Sequence, residues 1–198
     1  MSDPILEEYT KKSEDPEYCG YNPLQCAAYD ENIEAVKHLL SLYRQEDRLE
    51  EQLQFQNTVA PGDAKPTDEN ILHVAMKNPA VFKLICDELL NFPDMLVSLI
   101  KQADMDEDNV LHQFLQFERA EACAILSALV NAMEDKHDRA QLVEVLQEAM
   151  EALNQVGESP SSRIQAYASK PGKQAIVASM TELQEVLAAV TADMSSRR

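Results

Sequence analysis

One short pattern, met three times along the chain, constrains its fold more than anything else. Asn22-Pro23-Leu24-Gln25-Cys26-Ala27-Ala28, Asn70-Ile71-Leu72-His73-Val74-Ala75-Met76 and Asn109-Val110-Leu111-His112-Gln113-Phe114-Leu115 each open on Asn and place Leu two residues later. The second and third follow that Leu with His. The Leu positions are 48 and 39 residues apart, so the repeat carries insertions of unequal length. Each copy reads as a helix start. Asn is a strong N-cap because its side-chain carbonyl accepts from the free N–H groups of the first turn. Pro23 falls at the first helical position, where a missing N–H costs nothing. Acidic residues just upstream, Thr67-Asp68-Glu69 and Asp104 through Asp108, favour the positive end of a helix.

A second, amphipathic helix is predicted after each short one. Its stripes are Ile33, Val36, Leu39, Leu40 and Tyr43, extended by Leu49 and Leu53; then Val81, Leu84, Ile85 and Leu89, followed past Pro93 by Met95, Leu96, Leu99 and Ile100; then Ala122, Ile125, Leu126, Leu129 and Val130. Residues 57–68, with Pro61-Gly62 and Pro66, read as an inserted polar loop. Two further helices are expected, one lined by Leu142, Val145, Leu146, Ala149, Met150 and Leu153, the other by Ile176, Met180, Leu183, Leu187 and Val190. A short helix near 162–169 lies between the breaks at Gly157-Glu158-Ser159-Pro160 and Pro171-Gly172. No alternation of strand type runs for a convincing length.

These segments resemble the ankyrin repeat, whose signature is Thr-Pro-Leu-His-x-Ala-Ala, a turn, and a second helix ending in Val-x-x-Leu-Leu. Residues Asn22 to Leu40 follow it closely, with Asn for Thr, Gln25 for His and Glu31 for the turn Gly. The second copy keeps Leu72, His73 and Ala75, and the third keeps Leu111 and His112. The resemblance covers residues 17–132. It implies an all-α chain: an N-terminal segment (1–16), an ankyrin-like helix-turn-helix repeat stack (17–132) and a C-terminal helical extension (133–198). Two departures carry expectations of their own. Phe114 and Leu115 stand where the family has Ala-Ala, so they should reach onto the C-terminal helices. The turn Gly is missing from all three copies, so a different turn geometry is expected there.

Composition narrows the function classes. The net charge is −18. A phosphate-tracking surface needs Lys and Arg to displace counterions, so nucleic acid is not an expected partner, and an anionic membrane surface is disfavoured for the same reason. The acidic excess lies in residues 1–158, while 159–198 hold five bases against three acids. The acidity serves solubility and, functionally, would steer a basic partner. Cys19, Cys26, Cys86 and Cys123 form no C-x-x-C pair and read as reduced thiols of a cytoplasmic compartment. Met1-Ser2-Asp3-Pro4 lacks an apolar leader, and no unbroken apolar run reaches the length of a membrane span.

No metal, cofactor or catalytic residue is expected. His73 and His112 lack partners at ligand spacing such as H-E-x-x-H, and in the resembled family this His fixes the turn. His38 and His137 read as boundary or linker residues. Among the four glycines there is no phosphate-binding loop. The enzyme alternative is a Cys-dependent hydrolase built on Cys19, whose acidic neighbours Asp15 and Glu17 oppose thiolate formation. The resemblance instead implies a protein-binding module whose concave surface holds Tyr18, Tyr21, Tyr29, Asp30, Asp68, Glu69, Lys77, Asn78, Asp106, Glu107, Asp108, Gln113, Gln116 and Phe117. The tyrosines and Phe117 are the expected anchors, with the acids guiding a basic partner protein. Short divergent ankyrin proteins of this kind resemble effectors that intracellular bacteria deliver into host cells; a eukaryotic cytosolic adaptor is the other setting.

Overall fold

The computed structural model describes residues 3–18, 20–58 and 66–196; the expectations for Cys19 and for Pro61-Gly62 lie outside them. Among the described residues there are twelve α-helices, one 3₁₀ turn and no strand. The chain divides into two compact units, Met1–Ile85 and Cys86–Arg198.

The first unit contains α1 (Pro4–Ser13), α2 (Pro23–Tyr29), α3 (Ile33–Gln45), α4 (Leu49–Gln54) and α5 (Ile71–Ala75). Helix α2 is its hub, packing against α1, α3 and α5. Leu49 and Leu53 are buried as expected, but on a separate helix: Asp47 takes a left-handed backbone (φ +58°) and breaks α3 from α4. The two ends of the polar insertion are pinned together. Asn57 Nδ2 donates to Thr67 Oγ1 (2.9 Å) and Gln56 Nε2 to the Asp68 carbonyl (2.6 Å).

Helix α6 (Pro79–Leu89) carries the chain into the second unit, which holds α7 (Pro93–Lys101), α8 (Val110–Gln116), α9 (Ala120–Ala132), α10 (Lys136–Glu151), α11 (Pro160–Tyr167) and α12 (Gln174–Ser196). Here α8 packs on α9, α11 and α12, and α10 packs on α7, α9, α11 and α12. Phe114 and Leu115, on α8, are fully buried. His137 lies in the first turn of α10 rather than in a linker. Leu153 does not join the α10 stripe, because that helix ends at Glu151 and leaves Leu153 exposed. Helix α12 runs on through Thr191 to Ser196.

The apolar stripe of α12 (Ile176, Met180, Leu183, Leu187, Val190) is buried. With 23 residues and a mean hydropathy of 1.3 over its most apolar stretch, α12 has the length and composition of a membrane-crossing helix. Its Ile, Val and Leu residues, helped by alanines, raise that average, although Glu182, Gln184 and Glu185 interrupt the run. Length and composition alone are weak grounds, since a core helix passes the same test.

The three Asn starts behave alike, and a fourth joins them. Asn22, Asn70 and Asn109 cap α2, α5 and α8, and Ser159 caps α11. In all four the cap side chain accepts from the first turn while the residue three positions on, Gln25, His73, His112 or Ser162, accepts the cap's own N–H. Such a reciprocal cap satisfies two orphan donors at once. Two residues before each cap the backbone is left-handed: Gly20 (φ +83°), Asp68 (+55°), Glu107 (+60°) and Gly157 (+77°). Leu24, Leu72 and Leu111, two residues past their caps, are buried to 1% exposure or less. Each contributes about 2 kcal/mol on area grounds.

Two of the three turns that lack the Gly keep a left-handed residue in its place. Glu31 and Glu118, two residues before α3 and α9, keep the left-handed conformation (φ +56° each), and Gly172 does so before α12 (+82°). A non-glycine residue there costs about 1–2 kcal/mol. The second copy solves the turn differently: Pro79 opens α6, and Asn78 Oδ1 accepts from Ala80 N (2.9 Å) and Val81 N (3.3 Å).

Candidate functional site

The expected docking residues divide between the two units. In the first, Tyr29 at the end of α2 is the centre. Its ring meets those of Tyr18 and Tyr21, each 5.7 Å away between centroids, and Lys77 Nζ stands 3.8 Å above it. The stacked ammonium contributes about 0.5–1 kcal/mol at such a partly exposed place. Asp30 accepts from Tyr18 Oη (2.9 Å) and pairs with Lys12 Nζ (2.6 Å). Burial and then the Asp30 contact push the Tyr18 hydroxyl up to about 12, so it remains a neutral donor. Burial works against the Lys12 ammonium, yet its bonds to Asp30 and Glu8 outweigh that and hold its pKa above the usual lysine value. Lys12, on α1, was not among the expected site residues. Nothing in its local sequence points to a partner 18 residues on.

Three residues expected on an open surface are instead buried. Tyr21 donates through its hydroxyl to Glu69, which also accepts from Thr67 Oγ1 (2.8 Å). Asp108 Oδ1 accepts from Asn154 Nδ2 (2.7 Å), and Gln113 Nε2 donates to Asp104 Oδ2 (2.6 Å). Each has exchanged solvent for a protein partner, which is how buried polar groups avoid their desolvation cost. Asp68 likewise serves the turn, through its left-handed backbone and its carbonyl. Asn78 caps α6 and donates to Glu31 Oε2 (3.1 Å). Asp106, Glu107, Gln116 and Phe117 are exposed as expected, Phe117 at 49%.

The second unit adds two turns built to one plan. Asp104 Oδ1 accepts from Asp106 N (2.9 Å) and Asp108 N (3.0 Å); Asn154 Oδ1 accepts from Val156 N (3.2 Å) and Glu158 N (3.0 Å). Gln155 N donates across to the Asp106 carbonyl (3.1 Å), tying the two turns side by side. Met105, Leu153 and Val156, which sequence reasoning missed, are exposed there.

His73 and His112 are buried cap partners. Nδ1 of each accepts from its cap's N–H, at 3.3 and 3.2 Å, and His112 Nε2 meets the Glu158 carbonyl at 3.0 Å. Gln25 does the same work in the first copy, accepting from Asn22 N and donating to the Glu69 carbonyl (3.3 Å). His38, on α3, meets the α1 cap Asp3 at 2.7 Å. Burial holds the His112 pKa below the usual histidine value, against the pull of the Glu158 carbonyl. Acid therefore favours the unfolded chain, which binds the proton more readily. The contribution of neutral His112 is complete above about pH 6.5 and is lost as pH falls from there through the lower folded value. His112→Gln, which copies Gln25, is expected to flatten that loss between pH 7 and 5 in urea titrations. An unchanged slope would refute the assignment.

Cys26, Cys86 and Cys123 are buried free thiols, and burial pushes those of Cys26 and Cys123 up to about 12. A nucleophilic thiol needs the opposite shift. A groove of about 550 Å³ beside α1 is lined by Tyr21, Tyr43, Arg48 and Phe55, with no Cys or His among its described lining residues. No group of three or more His, Cys, Asp or Glu suited to a metal ion occurs among the described residues. No known family, curated protein or solved structure matches the chain.

Proposed function

We propose that this chain is a divergent ankyrin-like repeat protein that holds a partner protein and catalyses no reaction. The observation that carries the reading is the helix start made four times over. Each pairs a left-handed residue with a reciprocal cap two positions later, and the fourth, at 157–162, lies inside the region expected as an extension. Such units cannot bury their apolar faces alone and so form repeat arrays, and repeat arrays serve as binding surfaces. The exposed anchors are Tyr29 and Phe117. Tyr21 is withdrawn from that role, since Tyr21→Ala would report on stability instead. The setting is a reducing cell interior, for a delivered bacterial effector and a eukaryotic adaptor alike.

Affinity capture from cell lysate tests this. A discrete protein is expected with the parent chain. Phe117→Ala or Tyr29→Ala should diminish it about tenfold, the size of a moderate hot spot, while helical circular dichroism is unchanged. Recovery of nothing above an untagged control, or an identical yield from both variants, would count against the reading.

A further inference from the structure

The two most exposed large apolar residues of the described chain, Val156 (73%) and Leu153 (64%), flank Asn154, and Met105 (49%) flanks Asp104 in the neighbouring turn. The bonds Gln155 N to Asp106 O (3.1 Å) and Asn154 Nδ2 to Asp108 Oδ1 (2.7 Å) hold these turns side by side. The two turns that carry these three exposed residues therefore lie against each other at one edge of the second unit. Each Asx residue spends its side-chain oxygen on two backbone N–H groups, so the edge is preorganised. Exposed apolar groups gathered in this way mark interaction sites more often than scattered ones do. The edge is also acidic: the exposed carboxylates of Asp106 and Glu107 stand within two residues of Met105 and make no ion pair with any described residue.

We infer that this edge docks a peptide segment of another protein carrying two or three apolar side chains interleaved with Lys or Arg. The inference rests on the binding-module reading and supplies the chemistry of its partner. Apolar contact with Val156, Leu153 and Met105 gives the affinity, and the unpaired carboxylates select basic over acidic segments by complementarity. Charge complementarity decides against a second copy of this chain. At −18, another molecule would bring like charge to an acidic edge.

The probe is a synthetic twelve-residue peptide of alternating Leu and Lys, with a Leu/Glu peptide of the same length as control, titrated into the ¹⁵N-labelled full chain. The Leu/Lys peptide is expected to shift the amides of residues 105–107 and 153–157, and the Leu/Glu peptide to shift none. Leu153→Ser with Val156→Ser should weaken binding about tenfold. Asp106→Asn with Glu107→Gln should weaken it at low salt and flatten its salt dependence. All four positions are exposed, and unchanged melting curves will show that the variants fold. Shifts confined to other surfaces, equal binding of both peptides, or indifference to Leu153→Ser/Val156→Ser would overturn the inference while leaving the module reading to the capture experiment. Concentration-dependent mass abolished by Leu153→Ser/Val156→Ser would assign the edge to self-association and also overturn it.

Discussion

Phe114→Ala is expected to destabilise the second unit by about 3–5 kcal/mol, the range for emptying an aromatic site in a packed core. The size follows from place. Phe114 is fully buried on α8, a helix that meets α9, α11 and α12, and it occupies the position held by Ala27 in the first copy. In the first copy Ala27 and Ala28 leave nothing between helices to remove. In the third, the aromatic ring fills the space that an alanine pair would close. Urea unfolding of the variant against the parent measures the difference. A loss below about 1 kcal/mol would mean that the helices close up, and that Phe114 substitutes for Ala without supporting its neighbours.

Asn109→Ala comes next, at about 3 kcal/mol. Its Oδ1 caps α8 through Leu111 N (3.0 Å) and His112 N (3.2 Å), worth about 1 kcal/mol. Its Nδ2 donates to the Ala149 carbonyl (2.9 Å) in the last turn of α10. Carbonyls there have no partner further along the helix, and leaving one buried and unsatisfied costs about 1–3 kcal/mol. Asn22 makes the same pair of attachments, to Gln25 N and to the Gln52 carbonyl at the end of α4. Asn109→Asp separates the two parts, because it keeps the cap and loses the donor. An intermediate loss is expected for Asp, and equal melting temperatures for Ala and Asp would show that capping contributes nothing.

Much of this was legible in the sequence because it is local. An Asn before an apolar helix start announces a cap, and stripes at helical spacing placed Leu24, Leu72, Leu111 and most of the long-helix core. The fourth start escaped because Ser159-Pro160-Ser161-Ser162 has neither the Leu nor the His that marked the others. The usable signal was Asn154, five residues before its cap as Asp104 is before Asn109. The α3–α4 break escaped because it depends on an aspartate in a conformation usually signalled by glycine. The site was less readable than the fold. Tyr21, Asp108 and Gln113 look like surface residues until their partners appear, 48 residues away for Tyr21 and 46 for Asp108. Only long-range folding reveals such pairings.

Among the described residues, five non-glycine positions hold a left-handed backbone, and every one is acidic: Glu31, Asp47, Asp68, Glu107 and Glu118. Glycine would sit there at less conformational expense, so the chain sustains a standing penalty to keep a carboxylate at each bend. Five of its 35 acidic side chains are thereby fastened to tight bends rather than to pliable helix flanks. Neutralising those corners with glycine relieves strain and erases charge in the same stroke, so thermal robustness and acidity cannot both be maximised at these positions.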